Sequence, residues 1–235
     1  MQILAILATA SLTFAKVLPF TLKEQGCIFE ATRSADLKSS FYRKNCRKNL
    51  EKNEYDHWLL EEEDRHLIWR EYNGDEGMRQ VILKSDCDHI LESQILFNYI
   101  RSGNADVLCP LFDKENRSEQ VRTILNGPEN MRFIDKNINM AKGQIFGPNP
   151  GKLSSIIKRH KENHFATALD EYIYNIQPNF HATKSKLNQI FADFLKAYPE
   201  VHSQFNGTFM ARSNKALATA HQRLEGIIAE FESKN

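Results

Sequence analysis

The residues best suited to chemistry are eight histidines and four cysteines, and their spacing limits what each set can do. His160 and His164 stand four apart, which on a helix puts both imidazoles on one face, where two ligands can share a metal. Glu162 follows His160 by two positions, about 200° around the helix, so it cannot act as base on a water held between them. The metalloprotease order, with glutamate directly after the first histidine, is absent. Both histidines also continue the apolar stripe of their own segment, so packing at a helix contact is the preferred reading and metal binding the weaker one.

The other six, His57, His66, His89, His181, His202 and His221, are scattered. A hydrolase needs a general acid and base, and histidine is the usual choice near neutral pH, but no two of these sit at a diagnostic spacing. The G-x-S-x-G nucleophile signature is missing. The glycines between 143 and 151 lack the GK[ST] of a phosphate-binding loop. No cofactor is implied, and an enzyme assembled from distant residues stays open without being preferred.

Cys27, Cys46, Cys87 and Cys109 form an even set confined to the first half of the chain. In an exported protein they read as two disulfides with three connectivities open; no CxxC pair favours zinc instead. Arg43, Lys44, Arg47, Lys48 and Lys52 form a basic cluster that could grip an anion, although a solvated face balanced by the acidic run at 61–64 is the commoner explanation. Only Phe41 and Tyr42 lie among them to stack on bases, so nucleic acid is not favoured.

The compartment is read from the amino terminus. Residues 3–12 are an uncharged apolar run of signal-peptide length, too short to span a bilayer, and Thr13 and Ala15 place a cut before Lys16. An oxidising, extracellular destination follows, with Asn116-Arg117-Ser118 and Asn206-Gly207-Thr208 as glycosylation sequons. The lack of charge at Met1-Gln2 fits a eukaryotic signal. Lys plus Arg total 31 against 30 for Asp plus Glu, so no overall field demands an acidic or nucleic-acid partner. A composition 41% apolar and 26% charged is that of a globular protein.

The elements that must position these groups are clearest after 151. Gly143, Gly147, Pro148, Pro150 and Gly151 punctuate the chain, and apolar residues then recur at helical spacing over 153–176, 187–198 and from a cap at Ser213 to Phe231, with Pro178 and Pro199 as stops. Three such helices with short connections pack as an antiparallel bundle. Upstream, 36–52, 88–101 and 118–125 read as helices. Segments 66–70 and 80–84 flank a turn and form a hairpin, with one helix over 55–69 as the alternative.

The expected fold is therefore mainly α: a disulfide-linked N-terminal half over 16–142, made of helices with a β-hairpin at about 66–84, followed by a C-terminal antiparallel helical bundle over 152–235. Trp58, Trp69 and the fifteen phenylalanines are expected to fill core. The layout resembles that of secreted effectors and other extracellular interaction proteins of eukaryotes. It implies binding to an extracellular or host protein, with a secreted hydrolase such as a nuclease second and a carrier of a small apolar ligand third.

Overall fold

A computed structural model describes residues 26–38, 42, 46, 57–60, 67–70, 85–147 and 163–233. The leader, the basic cluster Arg43, Lys44, Arg47, Lys48 and Lys52, the acidic run at 61–64, the punctuation at 148–151, and His66 and His160 lie outside the described residues. For His57, Trp58, Trp69 and His164 only the backbone is described.

The protein is mainly helical. After two 3-10 turns at Ile28–Glu30 and Ser34–Leu37 come strands β1 (His57–Leu60), β2 (Leu67–Arg70) and β3 (Ser85–His89). Helices α1 (Ser93–Ile100), α2 (Ala105–Phe112) and α3 (Arg117–Leu125) follow, then β4 (Met131–Asp135) and α4 (Lys136–Ile145). The chain ends in α5 (Asn163–Asn175), α6 (Gln177–Ala197) and α7 (Phe209–Glu232). The four strands make one mixed sheet in the order β2-β1-β4-β3.

The hairpin is present one strand earlier than its expected place. Strand β2 pairs antiparallel with β1, Trp58 opposite Trp69 and Leu60 opposite Leu67, and 80–84 lies outside the described residues. A single helix over 55–69 is thereby overturned, because Trp58-Leu59-Leu60 and Leu67-Ile68-Trp69 are both aromatic and aliphatic runs that suit a pleated surface. The helix expected from Asp88 starts at Ser93 instead. Asp88 and His89 pair with Arg132 and Met131 in an antiparallel ladder, and two polar residues at the end of a short strand give no alternation to read. At 36–52 the first residues form a 3-10 turn, and Lys38 leaves it with extended backbone. Of the rest, Tyr42 and Cys46 are helical.

The C-terminal helices pack as the bundle their stripes demanded. Ala168, Leu169, Tyr172 and Ile173 are buried on α5 and Ile176 just beyond it, Leu187, Phe191 and Phe194 on α6, and Leu217, Ala220 and Leu224 on α7. Pro178 does break the helix, but it does so from the first turn of α6, where its missing N–H costs nothing. Ser213 is not a cap. It lies inside α7, fully buried, with its hydroxyl donating to the Phe209 carbonyl, while the Thr208 hydroxyl accepts from the Ala211 amide and does the capping.

One core serves both sides of the glycine-proline punctuation, running from Ile28 and Leu37 through α1 and α3 to α6 and α7. At its centre Tyr99, Phe112, Phe191, Phe205 and Phe209 meet at ring-centroid distances such as 5.0 Å for Tyr99–Phe191 and 5.7 Å for Phe112–Phe191, contacts that add to area burial. Asn130, wholly buried, locks the turn before β4. Its amide donates to the carbonyls of Leu91 and Leu125, and its oxygen accepts from the Leu91 amide.

Both disulfides form, and of the three connectivities the chain takes Cys27–Cys109 and Cys46–Cys87, with Cα separations of 5.7 and 6.0 Å. The first ties the opening 3-10 turn to α2 and the second anchors Cys46 to β3. The bridged cysteines are 82 and 41 residues apart, so loop closure alone stabilises the fold by about 4 kcal/mol per bridge. Among the described residues no helix is long and apolar enough to cross a membrane.

Candidate functional site

Among the described residues two places that collect charge differ in access. The first is sealed. On α4 the buried stripe Ile138, Ala141, Ile145 also contains Lys142, which is fully buried. Its Nζ donates to Asp88 Oδ1 at 3.0 Å, the His89 carbonyl at 2.7 Å and Glu92 Oε1 at 2.8 Å. An ammonium has three protons, and here each meets an acceptor. Tyr172 of α5, equally buried, donates to Asp88 Oδ2 at 2.8 Å. The local sequence builds this knot. Strand β4 runs straight into α4 through Asp135, whose carboxylate caps the helix by accepting from the Asn137 and Ile138 amides. Because β3 pairs with β4, the stripe of α4 lies over the end of β3.

Burial drives the electrostatics of the knot. It pushes the Asp88 carboxyl up to about 6, against the pull of the Lys142 ammonium. For Lys142 burial acts downward, but the carboxylates of Asp88 and Glu92 outweigh it and hold the amine above its ordinary value. Burial together with the Asp88 charge holds the Tyr172 phenol well above its ordinary value. Next door, His89 is 2% exposed, and burial lowers it to about 4, so it stays neutral. Asn126 donates to the carbonyls of Leu37 and Arg122, which turns its oxygen toward His89. The proton therefore sits on Nε2, which donates to that oxygen at 3.1 Å. None of these groups lines the groove described next.

The second place is an open groove of about 550 Å³ between α7, α1 and the end of α4. Ile95, Ile145 and Phe146 lie beneath it, buried in the core, and Asn98, Asn206 and Thr219 add neutral polar groups. Arg212, Lys215, Thr219 and Arg223 recur at three- and four-residue spacing on α7 and make one stripe along its wall. Among the described residues no carboxylate lines the groove. Arg223 donates to the carbonyls of Ile145 and Gly147, closing the carboxyl end of α4, where a cation is favoured. Arg212 and Lys215 have no carboxylate partner among the described residues.

The sequence-predicted residues fare unevenly. All four cysteines come together as pairs. Asn116 and Asn206 are both exposed; Asn116 takes a left-handed backbone at φ 54°, and Asn206 stands on the groove. His181 accepts from Lys184 Nζ through Nδ1 at 2.8 Å. His202 meets the Leu195 carbonyl at 3.1 Å. His221 bridges Asp170 at 3.7 Å and Gln177 at 3.0 Å on the bundle surface, away from the groove. Among the described residues no three His, Cys, Asp or Glu side chains are placed to hold a metal ion.

Lys142 escaped the sequence reading, although a lysine on an apolar helical stripe is a visible signal of a buried charge. The groove gave no signal, since its walls come from residues more than a hundred positions apart. No protein-family model, no curated protein and no solved structure matches the chain.

Proposed function

We propose that the protein is an exported interaction protein that acts by binding another protein, extracellular or belonging to a host, through a helical surface. The observation that carries this reading is the groove on α7: an accessible concavity whose wall carries Arg212 and Lys215 with no carboxylate partner among the described residues, a charged surface able to meet a partner. Two further facts support it. The paired cysteines suit an oxidising compartment. The groups with the most perturbed acidity are buried, Asp88, Lys142 and Tyr172 holding one another and the His89 imidazole held by Asn126, whereas a catalytic acid or base must reach substrate.

The test is affinity capture by the leader-free, disulfide-bonded protein from extracellular fluid, with parallel incubation against RNA, glycan and peptide substrates. Recovery of a defined protein partner without turnover is the expected result. Turnover of any of the three, with no partner recovered, would replace the interaction reading by the hydrolase reading.

A further inference from the structure

We infer that the groove on α7 takes a sulfated sugar chain carried by the partner, with sulfates set against Arg212, Lys215 and Arg223 and ring hydroxyls against Asn98 and Thr219. The inference rests on the interaction reading and adds to it the chemistry that is recognised.

Charge complementarity is the first support. Arg212, Lys215 and Arg223 line one wall, and among the described residues no carboxylate lines the groove. Arg212 and Lys215 lack an acidic partner among those residues, so an arriving anion displaces no existing pair. Arg223 is tied to the end of α4 through Nη1 alone, which makes both of its carbonyl bonds. The guanidinium is thereby held in place beforehand, while the donors on Nε and Nη2 stay available. An arginine fork matches the paired oxygens of a tetrahedral oxyanion, and sulfate has the geometry of phosphate.

The rest of the lining decides between anions. Ile95, Ile145 and Phe146 lie beneath the groove at 3%, 0% and 8% exposure. They offer no apolar surface on which a peptide could anchor a bulky side chain, and no open aromatic face on which a nucleic-acid base could stack. Beside its cations the groove presents the Asn98 amide and the Thr219 hydroxyl, both half-buried. Neither side chain hydrogen-bonds another described residue. A sugar hydroxyl both donates and accepts, so it pairs with either group. Charge density narrows the choice further. Arg212, Lys215 and Arg223 spread over about 16.5 Å of helix axis, the first two about 4.5 Å apart. A chain with one carboxylate on every second ring is too sparse to meet that pair, whereas sulfate esters on neighbouring rings are dense enough. The paired cysteines suit an oxidising compartment, the side of the membrane on which sulfated sugar chains are displayed.

Titration calorimetry of the leader-free, disulfide-bonded protein with a heparin hexasaccharide tests this directly. Affinity should fall steeply with added salt, at least about tenfold in R212Q/K215Q and about fivefold in N98A/T219A. K215Q alone, at an exposed position, serves where the pair impairs folding. Desulfated heparin and polyglutamate should bind at least about tenfold more weakly than heparin. Equal affinity for polyglutamate would assign the groove to an acidic protein segment, and equal affinity for single-stranded DNA to polyanions in general; either result overturns the inference. So does an absence of heparin binding, or binding that R212Q/K215Q leaves unchanged, which would place it on another basic surface such as the cluster at 43–52. A protein partner captured from extracellular fluid should be lost when its sulfated glycans are digested away, and equally when R212Q/K215Q is the bait. Capture that survives both would sink the groove and leave the interaction reading standing; turnover with no partner would sink both.

Discussion

Lys142 and Lys215 are the same residue type in opposite circumstances. Lys142 sits in the core with every proton bonded to Asp88, Glu92 or the His89 carbonyl, while Lys215 stands on α7 beside a groove in which no carboxylate lies among the described residues. The first charge is used up by the fold. The second is left over on an accessible wall, and that is what a binding surface offers. At the first place the shifted acidity of Asp88 follows from burial.

The comparison breaks most severely at Lys142. Replacing it by methionine leaves the buried Asp88 and the half-buried Glu92 without their cation, and loss of one member of a buried ionic group costs about 3–5 kcal/mol. Urea unfolding of K142M should show that loss. A change below about 1 kcal/mol would mean that water or rearrangement replaces the ammonium and that the knot is not the structural element described.

His89 sharpens the same side. Its folded value near 4 lies below its ordinary 6.5, so between those pH values the unfolded chain binds a proton that the native chain refuses. The stability it contributes is present above pH 6.5 and lost as pH falls to 4. Asp88 works the other way. Its folded value near 6 exceeds its ordinary 3.8, so its contribution is present below pH 3.8 and lost as pH rises to 6. Because the two slopes oppose, the informative quantity is a difference: the stability gap between wild type and His89→Gln should widen by up to ~3 kcal/mol from pH 4 to 6.5. A gap that stays flat would show that His89 titrates normally.

At the groove the expected stability effect is the smallest. R212E/K215E changes side chains outside the core, and its unfolding free energy should stay within about 0.5 kcal/mol of wild type. A larger loss, by calorimetry or denaturant, would give Arg212 or Lys215 a structural duty and erase the contrast with Lys142.

The sequence made some of this legible and hid the rest for physical reasons. Tyr172, Leu187, Phe191 and Leu224 were placed correctly because a long helix repeats its apolar face several times. Strands β3 and β4 escape a sequence pattern because five residues carry too little alternation, and Ser85-Asp86-Cys87-Asp88-His89 is polar but for its cysteine. Thr208 and Ser213 are both good cap residues, and only the burial of Ser213 decides against it. The cysteines announced that they pair but not how, since connectivity is a property of the folded chain. The groove needed three elements brought together by the core, which no local pattern records.

Lysine acylation of the native, disulfide-bonded protein, followed residue by residue by mass spectrometry, tests the division of charge most directly. Lys215 should label within the fastest group, and Lys142 should label only at the rate of global unfolding. Labelling of Lys142 at a rate comparable with Lys215 under native conditions would contradict it.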